Sequence, residues 1–357
     1  MSTCTIYYPG LLGPDVPLNE LKRAEWPDIN ATKNLSKLFS SPTFFSAGHK
    51  IQPLTKLSIE ARILECLDVS CSSEADLPVG YFRSVKHGLS AESVWCLDPV
   101  HVQIDRDEAV LVANESLCLE ESEARSLIDA LNQHFEQDGL RILYHTQHQW
   151  LVLGDIGLQT HSLSDAMFRN IDDYQPTGKD ETKWRAIINE VQMLLHGHPI
   201  NEKRADQGGV TANSVWIWGG GKYKTADSSL DLVLSDELLA KDVANCNGII
   251  CDLMPSKLDS ADLINKDSLL IFTEQMKAVR QNDVFAWFEY LLRFDHDVLA
   301  PLFELLQRGE LDSLIIKSDT VAITMTRKDL KGRLWRLFEK ENAFELGVKR
   351  FRTKYGY

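Results

Sequence analysis

Residues 184–221 read WRAIINEVQMLLHGHPINEKRADQGGVTANSVWIWGGG, and the organisation of the whole chain can be worked out from this segment. Its first half carries apolar residues at spacings of three and four, which predicts an amphipathic helix that ends at Gly197 and Pro199. Its second half contains Ser214–Trp218, whose β-branched and aromatic residues predict a strand. A helix followed so closely by a strand favours an α/β fold.

Polar residues and glycines between and after these two elements form the candidate ligand-binding cluster. Its members are His198, Asn201, Arg204, Asn213, Trp216, Gly219, Gly220 and Gly221. Arginine pairs with phosphate or carboxylate, and asparagine side chains and glycine amides donate hydrogen bonds to the same anions. Glycine also lets the backbone approach a ligand closely, because it has no Cβ and adopts positive φ. The alternative is a tight strand exit without a ligand.

Short apolar runs alternate with helical stretches along the rest of the chain. The runs of strand length are Thr5–Tyr8, Leu230–Leu234, Gly248–Cys251, Ser268–Phe272 and Ser313–Lys317. Apolar runs of this kind between helices are typical of a mostly parallel sheet. With 357 residues the chain also exceeds the roughly 250–300 residues at which a single core stops growing, so we expect two domains.

Composition and charge exclude several classes of protein. The chain is 44% hydrophobic and carries a formal net charge of −14, which disfavours binding to nucleic acid. No apolar run approaches the roughly 20 residues of a transmembrane helix, so we expect no membrane association. The beginning, MSTCTIYYPG, lacks the basic and apolar regions of a secretion signal, and we therefore expect a cytoplasmic location.

The end of the chain departs from the acidic character of the rest. Between Arg327 and Lys354, ten basic residues stand against four acidic ones. A segment of this kind docks either on the chain's own acidic body or on another molecule. A protein partner held through this basic segment is therefore one hypothesis.

The segment HPINEKRADQGGVTANSVWIWGGG resembles the archaeal-type cofactor-independent phosphoglycerate mutases, and more closely a proteobacterial set of mutase-like proteins, some of them labelled regulatory. The shared pattern is H-P-x-N-x-x-R, a glycine, and then A/V-N-[S/A]-x-W-x-W-G-x-G. The segments VGYFRSVKHGL, DPVHVQIDRDEAVLV and LIDALNQHFEQDGL resemble the family in the same order. The resemblance implies an alkaline-phosphatase-like α/β core with a mostly parallel sheet, at residues 1–105 and 222–357. It also implies an inserted smaller α/β domain at residues 106–221.

The core of that family holds two divalent metal ions, bound by Asp and His residues, and a serine that accepts the phosphoryl group. Here Tyr8 and Pro9 stand where the family has a metal-binding Asp after the first strand. The segment LLIFTEQMKAVRQNDV has no histidine where the family has one. The carboxylates that remain are Asp15, Asp283 and Asp319. Ser58 falls in the region of the nucleophile, but it also stands where a hydroxyl would cap a helix that begins at Ile59.

Three hypotheses follow for the function. In the first, the chain has lost the two-metal site, needs no cofactor, and acts as a binding or regulatory protein for a small phosphorylated or carboxylate ligand. In the second, it is an active mutase or phosphatase that uses Ser58 and a reduced set of ligands for manganese, magnesium or zinc. In the third, the polar residues of the cluster form a network that only braces the fold.

Overall fold

A computed structural model describes residues 2–14, 32–35, 51–54, 57–70, 76–89, 93–105, 108–223 and 228–330. Asp15 and most of the basic C-terminal segment lie outside the described residues, so the predictions made for them are not addressed by the structure. Within the described part, no helix has the length and apolarity needed to span a membrane.

The described elements alternate between strands and helices, as the sequence predicted. The strands are β1 (Thr3–Tyr7), β2 (Ile51–Pro53), β3 (Val94–Asp105), β4 (Glu108–Ala113), β5 (Arg141–Thr146), β6 (Gln149–Leu153), β7 (Leu158–Gln159), β8 (Thr177–Gly178), β9 (Ser214–Trp218), β10 (Leu232–Ser235), β11 (Ile250–Asp252), β12 (Ser268–Ile271), β13 (Ser313–Lys317) and β14 (Val321–Thr326). The α-helices are α1 (Ile59–Cys66), α2 (Val79–Val85), α3 (Glu121–His134), α4 (Leu163–Ala166), α5 (Glu181–His196), α6 (Pro199–Asp206), α7 (Leu238–Cys246), α8 (Met276–Arg280), α9 (Val284–Arg293), α10 (Ala300–Arg308) and α11 (Arg327–Leu330).

The first of two compact units comprises residues 1–59 and 228–357. Its sheet has the order β11-β10-β12-β1-β13-β14-β2, and the five strands from β11 to β13 are parallel. Strands β10 and β12 are buried along their whole length, because parallel strands are covered on both faces and therefore consist of continuous apolar runs. The apolar faces of α9 and α10 pack in the same core, which includes Trp287, Leu291 and Phe303. The α/β fold with a mostly parallel sheet is confirmed.

The second unit comprises residues 60–227 and is built on an antiparallel sheet. The order is β4-β3-β6-β5, and β9 pairs with β3. Helix α3 contributes Leu127 and Leu131 to the core of this unit, and α5 contributes Val191 and Leu195 at the spacing the sequence predicted. Trp150 of β6 lies in the same core and is 0% exposed. This unit is the α/β domain that interrupts the first.

The bounds of the second unit differ from the predicted 106–221. The unit begins at Glu60 and ends at Asp227, so residues 60–105 belong with it and not with the first unit. The physical reason is the pairing of β3, whose residues Val94–Cys96 pair with β6 and whose residues Cys96–Val100 pair with β9. A strand hydrogen-bonded on both sides to one sheet cannot belong to another domain.

Candidate functional site

His198 begins helix α6, and its side chain closes the first turn of that helix. The imidazole Nδ1 accepts a hydrogen bond from the backbone N–H of Ile200 at 3.3 Å, and Pro199 occupies the first helical position. An acceptor at this position satisfies one of the backbone donors that a helix start leaves open. Burial lowers the pKa of His198, which favours the neutral imidazole that acts as this acceptor.

Asn201 is 3% exposed and joins the end of α5 to the chain that enters β9. Its amide nitrogen donates to the carbonyls of Leu195 and Ala212, both at 2.8 Å. Its oxygen accepts the N–H of Ala212 at 3.1 Å. The side chain therefore uses both ends of its amide within the protein, as a buried asparagine must.

Arg204 is bonded through each nitrogen of its guanidinium group. Nε donates to the carbonyl of Val210 at 2.9 Å, Nη1 donates to the carboxylate of Glu123 at 2.7 Å, and Nη2 donates to the carbonyl of Leu117. The ion pair is mostly buried, with the two side chains 14% and 18% exposed. The same Glu123 oxygen accepts the N–H of Glu120 in the capping box of α3. Arg204 thus ties α6 to the beginning of α3.

Asn213 and Trp216 also bond to backbone groups of the second unit. The Asn213 side chain accepts the N–H of Val102 and donates to the carbonyl of the same residue, both at 2.8 Å. The indole N–H of Trp216 donates to the carbonyl of His161 at 3.0 Å. These bonds hold β9 against its neighbours and leave the two side chains occupied by the protein.

The three glycines after β9 are required because the backbone crosses other groups at close range. A Cβ on Gly220 would lie 2.1 Å from the ring of Trp95, and one on Gly221 would lie 1.4 Å from the carbonyl oxygen of Asp76. Gly219 adopts φ +70°, which favours glycine. The Gly221 amide donates to the carbonyl of Leu77 at 3.0 Å. Close packing within the second unit accounts for this run of glycines.

The sequence reasoning missed a buried ion pair in the second unit. Asp98 is 0% exposed and accepts from Arg83 Nη1 at 2.7 Å, from the Trp218 indole N–H at 2.9 Å and from the backbone N–H of Trp150 at 3.1 Å. The guanidinium of Arg83 also lies 5.2 Å from the Trp218 ring centroid. The signal in the sequence is a carboxylate inside the apolar run VWCLDPV, because a charge in such a run needs a buried partner.

The first unit contains a cavity of about 520 Å³ at the carboxyl edge of its parallel strands. Tyr8 follows β1, Asp236 follows β10 and Phe272 follows β12. Residues of α9 and of the π-helix Phe294–Leu299 that follows it close the other side. The carboxyl edge of a parallel sheet is where ligands bind in open α/β folds. The sequence analysis did not select this cavity, because its lining comes from five separate parts of the chain.

The loop after β1, next to this cavity, is held by hydrogen bonds from three other parts of the chain. The Asp319 carboxylate accepts the N–H of Gly10 at 2.7 Å, and the Gln275 side chain donates to the carbonyl of Pro9 at 2.7 Å. The indole N–H of Trp287 donates to the carbonyl of Gly10 at 2.9 Å. Asp319 and Gln275 therefore have structural roles at this edge.

Comparison with known proteins finds similarity to one family over part of the chain. The family model described as 2,3-bisphosphoglycerate-independent phosphoglycerate mutase matches residues 96–201. A mutase of that description from Methanosarcina acetivorans is 34% identical over 110 residues, which make up 29% of this chain and 28% of the relative. Residues 96–201 are therefore similar to the cofactor-independent phosphoglycerate mutases. A probable mutase from Geobacter sulfurreducens is 28% identical over 104 residues, 28% of this chain and 26% of that protein.

The matches to these curated relatives span less than a third of the relatives' length, and the residues matched by the family model lie in the second unit. Comparison of structures finds similarity over most of the chain. The PH0037 protein from Pyrococcus horikoshii aligns with a TM-score of 0.54 and 16% identity, and 93% of each chain is covered. That likeness supports the fold of the mutase-like protein and does not identify its chemistry.

The described groups at the carboxyl edge do not form the ligand set that the two metal ions of the resembled family require. Tyr8, the residue after β1, offers a buried phenol, and the Asp319 carboxylate accepts the Gly10 N–H. Asp283 caps α9 by accepting the N–H of Ala286 at 3.0 Å. Among the described residues, no three His, Cys, Asp or Glu side chains converge in a way that could hold a metal ion. Ser58 lies half-buried before α1 and is not among the described residues that line the cavity.

Proposed function

We propose that this mutase-like protein binds a small ligand and does not catalyse the mutase reaction. The observation that carries the proposal is the set of groups at the carboxyl edge of the first sheet. Transfer of a phosphoryl group through a two-metal site needs both ions to stabilise charge on the attacking and leaving oxygens. Tyr8 is a buried phenol, Asp283 caps a helix, and Asp319 accepts a backbone N–H. These groups are poor substitutes for the Asp and His ligands of that site.

The proposal gives the cluster around Arg204 a bracing role. A phosphorylated or carboxylate ligand at this cluster would have to compete with Glu123 and two carbonyls for the guanidinium. Losing those bonds would leave a mostly buried carboxylate without its partner, which is costly. We therefore place the ligand site in the cavity of the first unit. A cytoplasmic location, and a protein partner for the basic C-terminal segment, remain predictions from the sequence.

The test is an assay of 2-phosphoglycerate and 3-phosphoglycerate interconversion. The protein is stripped with EDTA and assayed with Mn²⁺, Mg²⁺ or Zn²⁺ added back, and its metal content is measured by mass spectrometry. The Methanosarcina acetivorans relative, treated identically, is the positive control. We expect no turnover above buffer and no stoichiometric metal. Turnover that depends on an added metal and is abolished by Ser58→Ala would overturn the proposal in favour of an active mutase.

A further inference from the structure

We propose that the cavity at the carboxyl edge of the first sheet binds an organic cation that has an aromatic or apolar body. This inference rests on the proposed function, because in a protein with a working two-metal site a phosphate group would bind at this edge of the sheet. It assigns the cavity a ligand of the opposite charge to a phosphorylated acid. The cavity volume of about 520 Å³ lies within the range of roughly 300–1,000 Å³ that is usual for small-molecule sites.

Aromatic rings form one wall of the cavity. Tyr8, Phe272 and Phe294 all line it, and their rings contact one another. The centroids are 4.3 Å apart for Tyr8 and Phe294, 5.8 Å for Tyr8 and Phe272, and 5.5 Å for Phe272 and Phe294. The faces of such rings attract cations, and their surfaces favour an apolar ligand body.

Acidic side chains dominate the charge of the lining. Three acidic residues, Asp236, Glu274 and Asp297, and one basic residue, Arg293, line the cavity. Asp297 Oδ1 lies 2.8 Å from Nδ1 of the exposed His296. A surplus of negative charge around a partly enclosed space raises the local concentration of cations and repels anions. Asp236 is anchored by accepting the N–H of Met254 at 3.2 Å, so its charge is held at the cavity.

The hydroxyl of Tyr8 is a buried polar group without a hydrogen-bond partner in the described part of the chain. Tyr8 is 2% exposed, and its hydroxyl has no hydrogen-bond partner among the described residues. Burial, and then the neighbouring Tyr290, raise the pKa of Tyr8, so the group is a neutral phenol. A buried hydroxyl without a partner is costly, and among the described residues nothing offsets this cost.

A metal ion does not explain the same features. The described residues contain no group of three or more side chains that could hold one, and the aromatic wall offers a metal no ligands. Carboxylates beside aromatic faces are instead suited to an ammonium or guanidinium group on an apolar body.

Three compounds that share one ring and differ in charge provide the test. Tyramine is a cation, tyrosol is neutral and 4-hydroxyphenylacetate is an anion, and their affinities for the full chain are compared by isothermal titration and thermal shift. We expect tyramine to bind at least about tenfold more tightly than the anion, which corresponds to a difference of about 1.4 kcal/mol. Glu274→Gln and Asp236→Asn should each weaken tyramine several-fold and leave tyrosol unchanged. Glu289→Gln, an exposed change on α9 outside the lining, is the matched control.

Several results would overturn the inference. The first is that none of the three compounds binds. The second is that 4-hydroxyphenylacetate or 3-phosphoglycerate binds as tightly as tyramine or more tightly. The others are that Mn²⁺ displaces tyramine, or that both cavity variants bind tyramine as well as the natural protein does. Failure here is distinguishable from failure of the proposed function. An inactive protein that ignores tyramine refutes only the cation site, whereas metal-dependent mutase turnover refutes the proposed function itself.

Discussion

Replacing Arg204 by alanine tests whether this residue stabilises the fold or binds a ligand. The substitution removes three hydrogen bonds that the guanidinium donates. The Glu123 carboxylate and the Leu117 carbonyl then lose this donor. Such bonds contribute about 1.5–3 kcal/mol each when isolated, and water that enters the gap recovers part of the loss. Because the pair is only 14% and 18% exposed, we expect the free energy of unfolding to fall by about 3 kcal/mol.

The measurement is urea unfolding followed by tryptophan fluorescence. Five of the eight tryptophans, Trp95, Trp150, Trp184, Trp216 and Trp218, lie in the second unit, so most of this signal reports on it. A double-mutant cycle with Glu123→Gln should give a coupling of about 1–3 kcal/mol, because the two side chains contact each other directly.

A matched control lies in the same unit. Arg185→Ala breaks an exposed pair with Glu181, one turn apart on α5, and should cost less than about 0.5 kcal/mol. The reasoning is refuted if Arg204→Ala costs no more than this control. It is also refuted if 3-phosphoglycerate stabilises the natural protein and this stabilisation disappears in the Arg204 variant, since that outcome assigns the guanidinium to an anion.

Two further predictions concern the same segment. Gly221→Ala should lower the free energy of unfolding by at least about 3 kcal/mol, because its Cβ would overlap a backbone carbonyl at 1.4 Å. Gly197→Ala, with open space around the added carbon, is the control, and equal stability of the two variants in urea would contradict the packing argument. Burial lowers the pKa of His198, so its contribution to stability is complete above the unfolded-state value of about 6.5 and is lost as the pH falls below it. His198→Asn keeps a helix-capping side chain, so we expect unchanged stability at about pH 7.5 and a smaller loss at about pH 5, measured by thermal unfolding. Parallel pH profiles for the two proteins would contradict this assignment.

Local patterns in the sequence were sufficient to predict the principal elements near the site. Helix α5 and strands β9, β10 and β12 follow from apolar spacing and from short apolar runs, because the periodicity of a helix or strand is a property of neighbouring residues. The fold class followed from the order of these elements and from the resemblance carried by the segment after His198. These features need no knowledge of distant contacts.

The roles of the polar residues depend on partners that are distant in the sequence. Arg204 has the residue type and the neighbours of an anion site, but its partners Glu123 and Leu117 lie 81 and 87 positions earlier in the chain. The glycines after β9 are explained by Trp95 and Asp76, which are even more remote in the sequence. The predicted domain boundary at residue 106 failed to include β3 for the same reason, since its partner β9 begins at Ser214. Sequence alone determined which segments are helices and strands and which family they resemble. Tertiary structure alone decided which polar groups are already satisfied, because hydrogen bonding and packing depend on the positions of atoms that sequence spacing does not specify.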